Sequence, residues 1–202
     1  LLVLDGAPGL HIAGRRDLAR DLANTARSAG LDPELLSLIL ANYGGALGFT
    51  RLHGDALPWL DDAVSLSAGK GPVGARALVN RGVVRGVLGN VQGELADYAA
   101  VIDMADAPAQ ERASALFNRG LTHGLQGDVE RALADFSAVI AMLDAPVQQR
   151  ARAYLARAIG RGRQGDVPGQ LADFASVIDM PDAPPLERAK ALIHLCAEAG
   201  AD

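Results

Sequence analysis

The phrase LADYAAVIDMADAP at residues 95–108 returns as LADFSAVIAMLDAP from Leu133 and as LADFASVIDMPDAP from Leu171, 38 residues on each time. A fixed period of this length marks a stack of like units, each too small to bury its own apolar faces. Residues 75–112, 113–150 and 151–188 align without a gap, and residues 189–202 open a fourth copy as a capping or truncated helix. Residues 37–74 read as a degenerate copy, and residues 1–36 as a linker and first helix.

Both halves of each unit have helical spacing. In the second half Leu95, Tyr98 and Ile102 form a stripe at i, i+3, i+7, repeated by Leu133, Phe136, Ile140 and by Leu171, Phe174, Ile178. Turn signals LGN and QGD precede it, and Asn90, Asp128 and Asp166 are placed to accept from free N–H groups of its first turn. Pro168 is tolerable in that turn, and Pro108, Pro146 and Pro184 are expected to start the next helix. The unit is therefore helix, tight turn, helix, loop.

Each first helix carries small residues four apart: Gly82 and Gly86, Gly120 and Gly124, Ala158 and Gly162, with Gly44 and Gly48 before them and Cys196 and Gly200 after. An interior glycine costs about 1 kcal/mol relative to alanine, so close approach of a partner helix is expected along this edge, with Cys196 a buried thiol. In residues 37–74 Ala56, Leu60 and Ala63 can form the second-helix stripe, but the Gly54-Asp55 turn signal falls three residues late. A further helix is expected from Arg15 to Ala29, restarted at Asp32-Pro33, for about ten in all.

The units resemble the tetratricopeptide repeat. Counting residue 75 as the first position, the resemblance rests on Leu78, Leu116 and Tyr154 at position 4, and a small residue at 8. It continues with Gly89, Gly127 and Gly165 at 15, Ala132 at 20, Tyr98, Phe136 and Phe174 at 24, and the following proline. It covers residues 37–202 and implies an all-α, right-handed helical-repeat solenoid of antiparallel helix pairs, a superhelix. Its period is 38 residues rather than the family's usual length of about 34. Glu94 and Gln170 stand where a small residue is usual, and Arg85, His123 and Arg161 where tyrosine is.

The composition agrees: 50% of residues are hydrophobic but only 4% aromatic, with 23 glycines, which suits closely packed helices. A net charge of −5 argues against a nucleic-acid binder. The longest uncharged run, Leu35 to Thr50, falls short of a bilayer span, so no membrane role is expected. A lone cysteine and the absence of a signal-peptide pattern fit a cytoplasmic chain, and the non-Met start fits a piece of a longer protein.

Gly69, Gly71 and Gly74 spell Gly-x-Gly-x-x-Gly, but a helix precedes them and Pro72 interrupts them, so they read as a loop between units. LLVLD at the amino end resembles the acid-bearing strand of a nucleotide hydrolase, without any phosphate-binding loop. His11, His53, His123 and His194 lack metal-ligand spacing. No enzyme, metal or cofactor is expected. Arg81, Arg119 and Arg157 share one row and Asp97, Asp135 and Asp173 another; pairing between them is favoured over an arginine ladder that reads ligands.

The function implied by the resemblance is a non-catalytic scaffold that binds a protein or peptide on its concave face. The first helices carry Val79, Val83 and Val87, then Phe117, Leu121 and Leu125, then Leu155, Ile159 and Arg163 on one side. Arg76, Arg152 and Lys190 edge it, beside Asn80 and Asn118. These side chains either line an open groove or bury between repeats. This side lacks the Lys and Asn pattern of the carboxylate-clamp subclass. The alternative is a sensor or oligomerisation arm of a larger signalling ATPase, and the terminal helix, with Leu192, Ile193 and Leu195, could support self-association.

Overall fold

The computed structural model describes residue 21, residues 24–49 and residues 52–199; LLVLD and the start of the helix expected from Arg15 lie outside the described residues. From residue 33 the described chain is helix after helix: α1 Pro33–Phe49, α2 His53–Leu66, α3 Gly71–Val87, α4 Val91–Asp103, α5 Ala109–Leu125, α6 Val129–Ala141, α7 Val147–Arg163, α8 Val167–Asp179 and α9 Pro185–Ala199. The first helices open at residues 33, 71, 109, 147 and 185, so the 38-residue period holds in the backbone. The fold is an all-α helical repeat. The described residues divide into two compact units, one ending at Glu111 and one beginning at Arg112.

The expected caps form. Asn90, Asp128 and Asp166 accept from the N–H groups of Gly93, Arg131 and Gly169 at 3.0, 3.0 and 2.9 Å. Gly89, Gly127 and Gly165 take φ of 81°, 83° and 80°, the left-handed conformation that ends a helix. There the N–H groups of Asn90, Asp128 and Asp166 donate back to the carbonyls of Arg85, His123 and Arg161 at 2.8, 2.9 and 3.0 Å. The prolines differ from expectation: α5, α7 and α9 open one residue after Pro108, Pro146 and Pro184, and Pro146 is extended, with ψ 138°. The loop is instead anchored by its alanine. Ala107, Ala145 and Ala183 are buried, and their N–H groups donate to the carbonyls of Met104, Met142 and Met180.

The degenerate unit keeps the period, since α1 and α2 start 38 residues before α3 and α4. Gly54 and Asp55 fall inside the first turn of α2, so they are not the turn. Ala56, Leu60 and Ala63 are fully buried as expected. Gly69 and Gly71 are both at positive φ; Gly69 lies in the loop between α2 and α3, Gly71 opens α3, and Gly74 falls inside that helix, so the three glycines span a loop and a helix start.

Within each pair the helices run antiparallel: Gly82 faces Tyr98 while Gly86, further on, faces the earlier Glu94. The buried face of α4 is Glu94, Asp97, Tyr98 and Val101, and α6 and α8 repeat it with Ala132, Asp135, Phe136, Val139 and Gln170, Asp173, Phe174, Val177. The expected stripe shares only its aromatic with this face; Leu95 and Ile102 flank it, half-buried. The valine sits centrally because it lies one turn from the aromatic on the side facing the partner helix.

The arginine row is paired, in bidentate geometry. Arg81, Arg119 and Arg157 donate through Nε and Nη2 to both oxygens of Asp97, Asp135 and Asp173, at 2.6–3.0 Å. Arg85 and Arg161 join Asp97 and Asp173 at 3.0 Å. Arg81 also reaches Asp61 on α2, and Arg157 reaches Ser137 on α6, each stitching one pair to the pair before it. Burial works against the charge of Arg81, but its hydrogen bonds and ion pairs with Asp97 and Asp61 outweigh this and hold its pKa above the ordinary arginine value. In α1 and α2 the same two rows hold Tyr43 and Trp59, whose rings pack edge to face at 5.0 Å. An aromatic pair thus replaces the ion pair at the joint.

The small-residue edge is explained by what faces it. A Cβ on Gly82 or Gly120 would stand 2.6 or 2.7 Å from the ring of Tyr98 or Phe136, and one on Gly44 2.6 Å from Leu60. Gly86 and Gly162 are covered by the polar ends of Glu94 and Gln170. Gly124 is the exception, with Ala132 Cβ at an ordinary 3.7 Å.

Tyr98 is 1% exposed, and burial, followed by the charge and hydrogen bond of Glu94, pushes its phenol well above the usual tyrosine range. Above pH about 10 the unfolded chain loses this proton while the folded chain keeps it. Stability then falls as pH rises, by about 1.4 kcal/mol per pH unit from this one group. Tyr98→Phe is expected to remove that slope in urea midpoints measured between pH about 9 and about 11. Parallel declines in both proteins would contradict the assignment.

Candidate partner-binding surface

The first helices present their apolar residues at steps of four, and each step advances about 40° beyond a full helical turn. The row therefore winds from the packed side of the helix out to solvent. In residues 112–202, Phe117 and Leu155 are 6% and 8% exposed, Leu121 and Ile159 are 41% and 39%, and Leu125 is 90%. Arg163, at the end of α7, is exposed. In residues 1–111, Val79 is half-buried while Val83 and Val87 are exposed. Exposure thus differs with depth: the inner residues are buried and the outer ones are open to water.

This corrects part of the expected site. Phe117 packs on Phe136 with ring centroids 5.6 Å apart, and Arg152 lies over its outer face at 4.4 Å. Asn80 donates to the Ala41 carbonyl at 3.2 Å and occupies the space beside Gly45, so it fastens α3 to α1. Arg76 is half-exposed and 3.5 Å from Glu111. Asn118 is half-buried and Lys190 exposed. Phe117, Leu155, Asn80 and Arg152 serve packing, because the neighbouring helix stands directly over them. Val83, Val87, Leu121, Leu125, Ile159 and Arg163 remain on the surface.

Phe49 extends the outer row and is 80% exposed. It stands 38 residues before Val87, so the period that linked Gly48 to Gly86 pointed to it as well. Cys196 is exposed, contrary to expectation. It continues the buried row of Gly82, Gly120 and Ala158, but no second helix pairs with α9 among the described residues. Leu186, Leu192 and Ile193 on the same helix are exposed too, while Ala191 is buried against α7 and α8. No helix among the described residues is long and apolar enough to cross a membrane.

No family model matches the chain, and no curated protein matches it. Solved structures do. A crystal structure of MamA is 20% identical with a TM-score of 0.63, covering 80% of this chain and 86% of that one. BtubC from P. vanneervenii is 17% identical with a TM-score of 0.67, covering 79% and 68%. A MamA RS-1 double mutant is 18% identical with a TM-score of 0.56, covering 89% and 98%. At these identities the likeness concerns the fold, and that fold is a tetratricopeptide-like helical repeat.

Proposed function

We propose that the chain is a non-catalytic protein-interaction scaffold, acting in the cytoplasm, that captures a protein or peptide through the outer apolar positions of its first helices. The observation that carries this reading is the graded row itself. Leu121, Leu125 and Ile159 are large, apolar and open to water, although Phe117 and Leu155, one turn inward of Leu121 and Ile159, are packed. A solvent-facing row of this kind on folded helices is a docking surface for an apolar segment. The structural neighbours, helical-repeat proteins of the tetratricopeptide type, support a scaffold role.

Leu121→Asp combined with Leu125→Asp is expected to abolish capture of the partner from an extract, while the helical circular-dichroism signal and urea midpoint stay within about 1 kcal/mol of wild type. Phe117→Asp is unsuitable for this purpose, because it places a charge in the core. A double variant that retains the same set of proteins would remove the reading.

A further inference from the structure

Helices α5, α6 and α7 enclose a half-open cavity of about 270 Å³. Its floor includes Gly124, Ala132 and Gly160, and its mouth Leu121, Leu125 and Ile159, with Arg163 at the rim. The other helix pairs fill this space. Over Gly86 and Gly162 it holds the side chains of Glu94 and Gln170, the residues that match Ala132. Over Gly48, whose partner is the small Ala56, it holds Val84, with Cγ2 2.9 Å from where a Cβ would stand. The residue matching Val84 two units on is Gly160. Gly124 has thus lost both covers at once, the side chain from the paired helix and the side chain from the following one.

Building on the scaffold reading above, we infer that this cavity is the specificity pocket of the binding surface. It accepts one large apolar side chain, Leu, Met or Phe, from a partner peptide that carries an acidic residue within a helical turn of it. The volume lies just below the range of about 300–1,000 Å³ that holds whole small ligands, which suits a single side chain. The carboxylate follows from Arg163. The matching residues Phe49, Val87 and Leu125 are apolar, whereas Arg163 is cationic, exposed and makes no ion pair among the described residues. Beside an apolar cavity, such a guanidinium selects an anion adjacent to the buried group.

The test uses the intact chain and a displayed library of random twelve-residue peptides, followed by fluorescence anisotropy on the enriched peptides. Ala132→Gln refills the cavity by the device Gln170 uses over Gly162, and Gly124→Leu fills it from α5. Either is expected to weaken the enriched peptides about tenfold or more, with urea midpoints showing that the variants fold. Arg163→Glu is expected to weaken them at least threefold at low salt and less at high salt. Peptides that bind the filled variants as tightly as wild type overturn the pocket and leave the scaffold reading standing. Failure to enrich any peptide overturns the pocket too, while the scaffold reading is judged separately by capture with the Leu121 and Leu125 variant. 3-Phenylpropionate, which has the ring and carboxylate without a peptide, binding as tightly as the peptides would make this a small-molecule site and overturn the peptide assignment.

Discussion

Asp135→Ala is expected to destabilise the chain by about 3 kcal/mol, and Arg119→Tyr combined with Asp135→Trp to restore most of that loss. Asp135 is 6% exposed and accepts both bonds of the Arg119 fork, so removing it takes the bidentate carboxylate away from a partly buried guanidinium. The estimate sits at the low end for broken buried pairs because the Arg119 side chain keeps 27% of its exposure. Tyr43 and Trp59 occupy these two rows in α1 and α2, and pack there as an edge-to-face pair. An aromatic pair avoids the desolvation cost of an ion pair. The pair of α5 and α6 is the better host for this test than that of α3 and α4, where Arg85 also bonds Asp97. Urea midpoints of the single and double variants decide it. A double variant no more stable than Asp135→Ala would show that the joint needs charge.

Opposite signs are expected from two glycines four residues apart on one helix. Gly120→Ala should destabilise by about 2 kcal/mol, whereas Gly124→Ala should stabilise by about 0.5–1 kcal/mol. Alanine raises helix propensity equally at both sites. At Gly120 the new methyl meets Phe136 Cε1 at 2.7 Å and Asp135 Cβ at 3.2 Å. That ring is buried and packed against Phe117, so the methyl forces it out of that packing, and the overpacking outweighs the propensity gain. At Gly124 the only neighbour within 4 Å is Ala132 Cβ, at 3.7 Å. Midpoints that move in the same direction would mean that the approach of α6 does not govern this edge.

The period, the helix pairs, the caps and the Arg–Asp pairing were all legible in the sequence. Each follows from local chemistry: an Asp before a first turn, a Gly after a last turn, or opposite charges that recur in step. What was not legible depends on how deep a residue lies beneath its neighbour. Phe117 and Leu121 share one side of α5 by spacing, yet only the packed position of Phe136 and Arg152 shows that the first is core and the second surface. Gly124 and Gly86 look equivalent in the sequence row. They differ because Glu94 covers one, whereas Ala132 and Gly160 uncover the other. Cys196 continues a buried row but lies exposed on a helix that no second helix covers among the described residues. A repeat predicts the neighbour that each unit should have, and fails where that neighbour is changed or missing.

We propose that a partner binds along the outer row of the first helices. Hydroxyl-radical footprinting of the chain, alone and with its captured partner, tests this most directly because it reads individual exposed side chains. Protection of Leu121, Leu125 and Ile159 is expected on binding, with Leu143 and Leu186, which are also open to water in the free chain, labelled as before. Protection of Leu143 or Leu186 with no change at Leu121, Leu125 and Ile159 would contradict it.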